Sequence, residues 1–518
     1  MKSALLFFCM TTLFAADYDL VIRHARVVDG TGNPWFQADV AIKDGKIAAI
    51  GSIPTSSARV IDARNRVLAP GFIDVHTHLE GNIELLPGAE NFITDGVTTA
   101  VTGNCGGSEV DLAAFFSRLE KLKIGFNMAS LIGHNSVRRE VMGTVNRQAT
   151  PDEIARMQRL VEKNMRDGAV GFSTGLIYIP GTYANTAEVV ALAKAAAPFH
   201  GVYASHMRDE GAHVLEAIDE AVQVGKETGM PVELSHFKID NKHLWGTSNQ
   251  SLILVEKFRR EGVDVVVDEY PYDRSSTNLG TTIPSWALAG GRDEMKRRLA
   301  DPAVHARIVQ EMKDKMNELG QDDFSYAMVA SCDFDPSIDG KTISEVNIVK
   351  GRAKSIENEI ETILALQSEG ELSMVYHSMG DEDVERIMQY PNTAFASDGW
   401  IIQLGKGVPH PRSYATRARV LAEYVRQRHL LRLEDAIRRM TSLPARTFGF
   451  RDRGMVREGY WADLVLFDPA QVQDEATFEK PHQYSKGFDL VLVNGVPVVE
   501  DGRPTGTRPG KVIRQRPN

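Results

Sequence analysis

Eight short apolar runs through the middle of the chain limit its fold more than any other feature. They are Phe72–Val75, Thr98–Val101, Phe126–Ile132, Ala169–Phe172, Val202–Ala204, Val232–Leu234, Val263–Val267 and Thr393–Ala396. Apolar runs without polar alternation are strands buried on both faces, as in a parallel sheet. Helical patterns lie between most of them, among them Val214–Thr228, Asn249–Arg260 and Pro151–Asp167. The last is opened by Thr150 as N-cap, with proline at the first helical position. Eight strand–loop–helix units predict an α/β fold, a TIM-like (β/α)8 barrel over residues 69–446. The stretch at about 280–390 is too long for one connection. It carries helical patterns at Asp293–Leu299 and Ala303–Asn317 and strand-like runs at Tyr326–Val329 and Ser373–Tyr376, and it reads as a lid inserted into the barrel.

The two ends of the chain have a different texture. Residues 17–68 alternate in short strands, with Asp29-Gly30 and Asp44-Gly45 as turns. Residues 447–518 do the same, with strands at Ala462–Phe467 and Leu490–Val493 and a hairpin turn at Asn494-Gly495. Together the ends predict one small β-sandwich beside the barrel. Before it, Met1-Lys2-Ser3 and the mostly apolar run Ala4–Ala16 fit a secretory signal peptide over residues 1–16. That predicts export to the bacterial periplasm or the medium; read instead as a frayed apolar N-terminus, the segment leaves the protein in the cytoplasm. No stretch of the chain is long and apolar enough to span a membrane.

Composition narrows the partners. A net charge of −10 over 518 residues gives no basic footprint for nucleic acid or an anionic membrane. Three cysteines, Cys9, Cys105 and Cys332, are too few for a disulfide framework, although an exported chain can pair Cys105 with Cys332. Nothing in the sequence fixes an oligomeric state.

The functional reading comes from the residues just beyond each strand, since barrels of this kind keep their sites at the C-terminal ends. His76 and His78 come after the first run, two residues apart and so on one face of an extended strand. Cys105 comes after the second on the glycine-rich turn Gly103-Asn104-Cys105-Gly106-Gly107. His206 and His236 stand after the fifth and sixth, and Asp398 after the eighth. Singly, each has a bland reading as a loop histidine, a packing thiol or an Asp-Gly turn. Together they place metal-ligand types at five of eight strand ends, a zinc-type site.

The chain resembles the N-acyl-D-amino-acid deacylases (D-aminoacylases) of the metal-dependent amidohydrolase superfamily. The resemblance covers nearly the whole chain beyond residue 16. It is carried by Pro70–His78, Gly96–Gly106, Gly171–Tyr178, Tyr203–Gly211, Ser235–Lys238, Asp268–Tyr272, Ser397-Asp398-Gly399, Pro409–Arg412 and the tail Val493–Gly510. It implies zinc-dependent hydrolysis of the amide of small-molecule N-acyl-D-amino acids. One Zn2+ would be held tightly by Cys105, His206 and His236, and a weaker second metal position would use His76, His78 and Asp398. Asp398 would also be the catalytic acid–base group. Strand four offers no lysine to bridge two metals, and the resemblance gives that place to Cys105. For the substrate it implies Tyr178, Lys238, Tyr270, Ser276 and Arg412, with Arg412 and Lys238 as partners of the α-carboxylate.

Two departures from the family pattern, Leu79-Glu80 after the paired histidines and the long apolar connection Gly399–Val408, fall near the expected substrate cleft. The apolar connection points to a hydrophobic acyl or side-chain group. The alternatives are a hydrolase of another amide (a D-residue dipeptide, an N-carbamoyl amino acid or a cyclic amide) and a catalytically silent barrel that only binds.

Overall fold

All eight apolar runs become strands of one parallel barrel in the computed structural model, which describes residues 17–54 and 58–515. The expected signal peptide and Cys9 lie outside the described residues. The barrel strands are β1 (Phe72–Asp74), β2 (Val97–Thr102), β3 (Asn127–Ser130, resuming at Ile132–Gly133) and β4 (Gly171–Gly175). They continue with β5 (Val202–His206), β6 (Val232–Leu234), β7 (Val265–Glu269) and β8 (Thr393–Phe395). Every residue of these strands is buried, which is why their sequences lack alternation. Inward-facing Val101, Leu131, Val170, Val202, Val266 and Ala394 fill the barrel interior as a packed plug.

Neighbouring strands pair in parallel from β1 to β3 and from the second part of β3 to β8. The ring closes at its C-terminal mouth. There Gly399–Trp400, beyond β8, pairs in parallel with Thr77–His78, beyond β1, and the amide of Asp398 donates to the carbonyl of His76 at 2.9 Å. The closing seam is therefore built from the predicted ligands themselves.

The helices owe their boundaries to local chemistry. Helix Pro151–Asp167 starts with a full capping box between Thr150 and Glu153 and stops at Gly168 in the left-handed region. Helix Val214–Thr228 ends at Gly229, also left-handed. Among the described residues, no helix is long and apolar enough to cross a membrane.

The two chain ends form one nine-stranded sheet. Strand Val67–Pro70 lies at its centre, parallel to Leu20–Val27 on one side and antiparallel to Leu464–Phe467 on the other. The strands of the sheet are joined in one continuous hydrogen-bonded path, and Ile22, Val40, Leu68, Leu464 and Leu492 pack together as the core of this small domain. Asn494-Gly495 makes the expected hairpin, with φ of 50° and 78°. The sheet takes in Ala69 and Pro70, which the sequence pattern places in the barrel. After strand Arg503–Pro504 the chain leaves the sheet. The amide of Met128 donates to Lys511 and that of Ile513 to Met128, so the tail runs along the base of β3.

The insertion occupies 274–378, a shift from the expected 280–390. It opens with strand Arg274–Asn278 and closes with Ser373–His377, paired antiparallel, and Ala327–Ser331 adds a third strand. Leu279, Met312, Ile338, Ile360 and Met374 give it a core of its own. Helix Asp381–Gln389, inside the expected lid, belongs to the barrel, because Val384, Ile387 and Met388 pack into the main core.

Candidate metal centre

Cys105 sits at the middle of the barrel mouth, with imidazoles on three sides. Its Sγ lies 3.6 Å from His206 Nδ1, 3.6 Å from His236 Nε2 and 3.3 Å from His76 Nε2. Tetrahedral zinc, with Zn–S of ~2.3 Å and Zn–N of ~2.05 Å, separates sulfur from nitrogen by about 3.6 Å. The trio Cys105, His206 and His236 therefore has the edge lengths of a zinc site, and its donor atoms lie within 4.8 Å of one another. His206 Nε2 is buried and lacks a hydrogen-bond partner.

Asp398 stands opposite, its Oδ1 3.0 Å from His78 Nε2 and 3.6 Å from His76 Nε2. A second ion would share ligands with the first. The further groupings are His76 with His78 and Cys105, and His76 with His236 and Asp398, which bring the expected second position beside Cys105, its expected bridge to the first.

The backbone is bent to hold these groups. Cys105, His236 and Asp398 all adopt positive φ, at 51°, 35° and 48°. Such conformations cost non-glycine residues of order 1–3 kcal/mol and collect where a site fixes them. Gly106 makes the turn at Cys105 possible: its φ is +73°, and a Cβ there would meet Asn135 Oδ1 at 2.2 Å.

Charge follows from the same crowding. Burial pushes the Cys105 thiol up, but His76, then His206 and His236, pull it well below the ordinary thiol range. Burial likewise raises Asp398, and Arg412, His76 and His78 outweigh it, so the carboxylate stays ionised. Burial lowers His78, while Asp398 and Cys105 push it up to about 9. An anionic thiolate and carboxylate facing imidazoles are the charge pattern of a cation site.

A ring of groups that carried no role in the sequence reading fixes the ligands. Asp268 accepts from His76 Nδ1 at 3.1 Å and from the amide of His236 at 2.9 Å. Glu210 accepts from His236 Nδ1 and from Lys238 Nζ, both at 2.9 Å. Asp74 pairs with Arg417 at 2.8 Å and accepts from the amide of Ser397 at 3.1 Å, just before Asp398. One signal was present: Glu210 stands four residues after His206, and Asp268 near the end of β7, where ligand partners are expected.

A cavity of about 1310 Å³ opens above the centre, between the barrel mouth and the insertion. Tyr178, Lys238, Tyr270 and Ser276 line it, as does Trp400, whose indole stacks on His78 at 4.9 Å. The Tyr178 hydroxyl accepts from Thr277 Oγ1 at 3.0 Å, leaving its own proton free for the cavity. Ser276 spends its hydroxyl on the carbonyl of Met374 at 2.7 Å. Arg412 lies beneath the lining. Its Nη2 reaches Asp398 Oδ2 at 2.9 Å and the carbonyl of Ser276 at 3.1 Å, and its guanidinium packs on Tyr270 at 4.6 Å. Arg412 thus orients the acidic group through Nη2, while its Nε and Nη1 are buried without a hydrogen-bond partner.

Of the apolar connection after Asp398, only Trp400 lines the cavity; Ile401 turns into the core and Leu404 faces outward. Leu79 and Glu80 do not line it either. Cys105 and Cys332 are both free, with Cys332 in the core of the insertion, which removes the disulfide alternative.

Comparison with known proteins agrees with this geometry. Residues 59–499 match the model of the amidohydrolase family. A D-aminoacylase of Alcaligenes xylosoxydans xylosoxydans is 34% identical, over 96% of this chain and 97% of its own. The structure of N-acyl-D-glutamate deacylase from Bordetella bronchiseptica, complexed with zinc and a phosphonate that mimics the tetrahedral intermediate, superposes with a TM-score of 0.83. It is 32% identical and covers 96% of this chain and 100% of its own. A D-aminoacylase structure with a binuclear metal centre, described by one-metal activation and second-metal attenuation, gives a TM-score of 0.82 at 33% identity, over 96% of this chain and 100% of its own. The chain belongs to the amidohydrolase family.

Proposed function

We propose that this protein is a zinc-dependent amidohydrolase that cleaves N-acyl-D-amino acids to a carboxylic acid and a free D-amino acid. The observation that carries the reading is the Cys105 thiolate set 3.6 Å from both His206 and His236, with the ionised Asp398 across the same mouth. The relatives compared with it act on N-acyl-D-amino acids or are D-aminoacylases, and the D configuration rests on them.

Cys105, His206 and His236 would hold the tight zinc, and His76, shared between the two overlapping groupings, would help to hold a second ion. Zinc, when bound, acidifies water and polarises the scissile carbonyl. Asp398 Oδ1 takes the proton from the attacking water and delivers it to the leaving nitrogen. Arg412, bound to Oδ2, fixes the orientation of the carboxylate and keeps it anionic until that moment. Tyr178, whose phenol stays protonated because burial and the nearby Cys105 raise it well above its ordinary range, offers a hydrogen bond to substrate oxygen. Lys238 supplies positive charge for the α-carboxylate. The apolar run after Lys2 supports export to the periplasm, and N-terminal sequencing of the mature protein is expected to begin near Asp17.

The test is to assay the zinc-loaded enzyme on matched N-acetyl-D- and N-acetyl-L-amino acids, and to measure zinc in Cys105→Ala. D-selective cleavage and loss of zinc are expected. L-preference, activity restricted to cyclic amides, or a Cys105→Ala variant that keeps zinc and activity would sink the reading.

A further inference from the structure

The cavity over the metal centre holds an anion that the proposed chemistry does not use. Asp240 stands on the loop that leaves β6, two residues beyond Lys238, and lines the cavity wall. It is half-buried, and among the described residues no cation forms an ion pair with it. The two lysines whose charge reaches it are committed elsewhere, Lys238 to Glu210 at 2.9 Å and Lys315 to Glu318 at 3.2 Å. Three carboxylates thus face two ammonium groups, and the odd charge is negative. The Ser378 hydroxyl bonds to Asp240 and itself meets Ser275 Oγ at 3.1 Å. Burial and the neighbouring Glu210 push the carboxyl up to about 6, a strain that an incoming cation relieves.

The anion is also held in place. Its amide donates to the carbonyl of Glu210 at 2.7 Å. The next residue, Asn241, accepts from the amide of His243 at 2.9 Å and donates to the carbonyl of Glu318 at 3.0 Å. A group fixed this way loses little freedom on binding. Beside it stand Tyr326 and Tyr376, which also line the cavity; their ring centroids lie 5.9 Å apart, and both rings feel the Asp240 charge. The Tyr326 hydroxyl reaches only Met316 Sδ, at 3.7 Å, which leaves its oxygen open as an acceptor. A carboxylate beside aromatic rings is a combination that binds ammonium and guanidinium groups. Lys238, the expected partner of the substrate α-carboxylate, is at most about 7 Å along the backbone from Asp240, the span of a lysine from α-carbon to ammonium.

We propose that Asp240, with the rings of Tyr326 and Tyr376, forms a subsite for a cationic group carried by the N-acylated substrate a few carbons from the scissile amide. This rests on the deacylase reading. A basic side chain and a basic acyl group share the required chemistry, and two matched pairs of substrates separate them. One sets N-acetyl-D-lysine against N-acetyl-D-norleucine. The other sets N-(6-aminohexanoyl)-D-alanine against N-hexanoyl-D-alanine.

A hydrogen bond to a charged group corresponds to at least about tenfold in binding. In one of the two pairs the cationic member should therefore exceed its neutral match about tenfold in kcat/KM. Asp240→Asn should cut that ratio at least about tenfold and leave the neutral substrate within about threefold of wild type. Tyr326→Leu should lower the ratio by about two- to fivefold. Circular dichroism checks that each variant is folded, and Asp240→Ser replaces Asp240→Asn where the amide disturbs the loop. Preference for the neutral member in both pairs, or a folded Asp240 variant that keeps the wild-type ratio, would overturn the subsite. If the zinc-loaded enzyme cleaves N-acetyl-D-norleucine but favours neither cation, the subsite alone fails. If it cleaves no N-acyl amino acid, the deacylase reading fails and the subsite with it.

Discussion

Replacing Glu210 with glutamine should weaken zinc binding by at least about tenfold while the fold survives. The carboxylate is nearly enclosed, with 8% of its side chain exposed, and it receives His236 Nδ1 and Lys238 Nζ at 2.9 Å each. Burial pushes it up, but Lys238, His236 and His206 hold it well below the usual carboxylate range, so it is an anion. Glutamine keeps the volume and one acceptor oxygen but not the charge. A hydrogen bond to a charged group contributes about 1.5–3 kcal/mol, a neutral one about 0.5–1.5, so each of the two bonds loses about 1–1.5 kcal/mol. The share on His236 acts on the metal directly, because an anion at Nδ1 makes Nε2 a better donor. About 1.4 kcal/mol is tenfold in affinity. The unbalanced Lys238 ammonium beside the site adds repulsion toward a cation, which carries the expected range to about 10–100-fold. The assay is competition with a chelator for wild type and variant, with the melting of both metal-free proteins recorded in parallel. A variant that binds zinc within about threefold of wild type would refute the argument.

Gly106→Ala is expected to release Cys105 from the site. It places a Cβ at φ +73° and 2.2 Å from Asn135 Oδ1, so metal analysis should find zinc well below one per chain and calorimetry a lower Tm; an unchanged zinc content would show that the turn does not hold the thiol. Glu188 gives a pH-dependent prediction. Although burial raises it, bonds from His134 Nε2 and Arg138 Nε, both 2.9 Å, hold its carboxyl below the ordinary 4.5. A depressed folded pKa contributes stability that is complete above the unfolded value and is lost as pH falls through the folded one. Glu188→Gln should therefore lose less stability than wild type when urea unfolding at pH 7 is repeated under acidic conditions below 4.5, and parallel losses would remove the assignment.

The barrel and its ligands were legible because both follow from local chemistry. Doubly buried strands must be apolar throughout, and a residue just beyond such a strand must lie at the mouth, so His76, Cys105, His206, His236 and Asp398 could be placed together from strand positions alone. What stayed hidden depends on contacts between distant segments. That Arg412 also holds Asp398, 2.9 Å from its guanidinium, shows only in the folded chain. Asp268 and Glu210 were in view as residues, but their bonds to His76 and His236 cross from one strand end to another. The limits of the insertion were misplaced because strand Arg274–Asn278 is polar and only half buried, without the apolar run that marks the barrel strands.

The central place of Val67–Pro70 in the end sheet has a consequence for synthesis. Its antiparallel neighbour, Leu464–Phe467, lies roughly 400 residues downstream. At ~5–20 residues per second, that is about 20–80 s during which a fully apolar strand edge waits for its mate. Everything between the two must emerge first. The nascent protein thus carries an adhesive edge for most of its birth, and its yield in a cell is set by what shields that edge as much as by the stability of the finished enzyme.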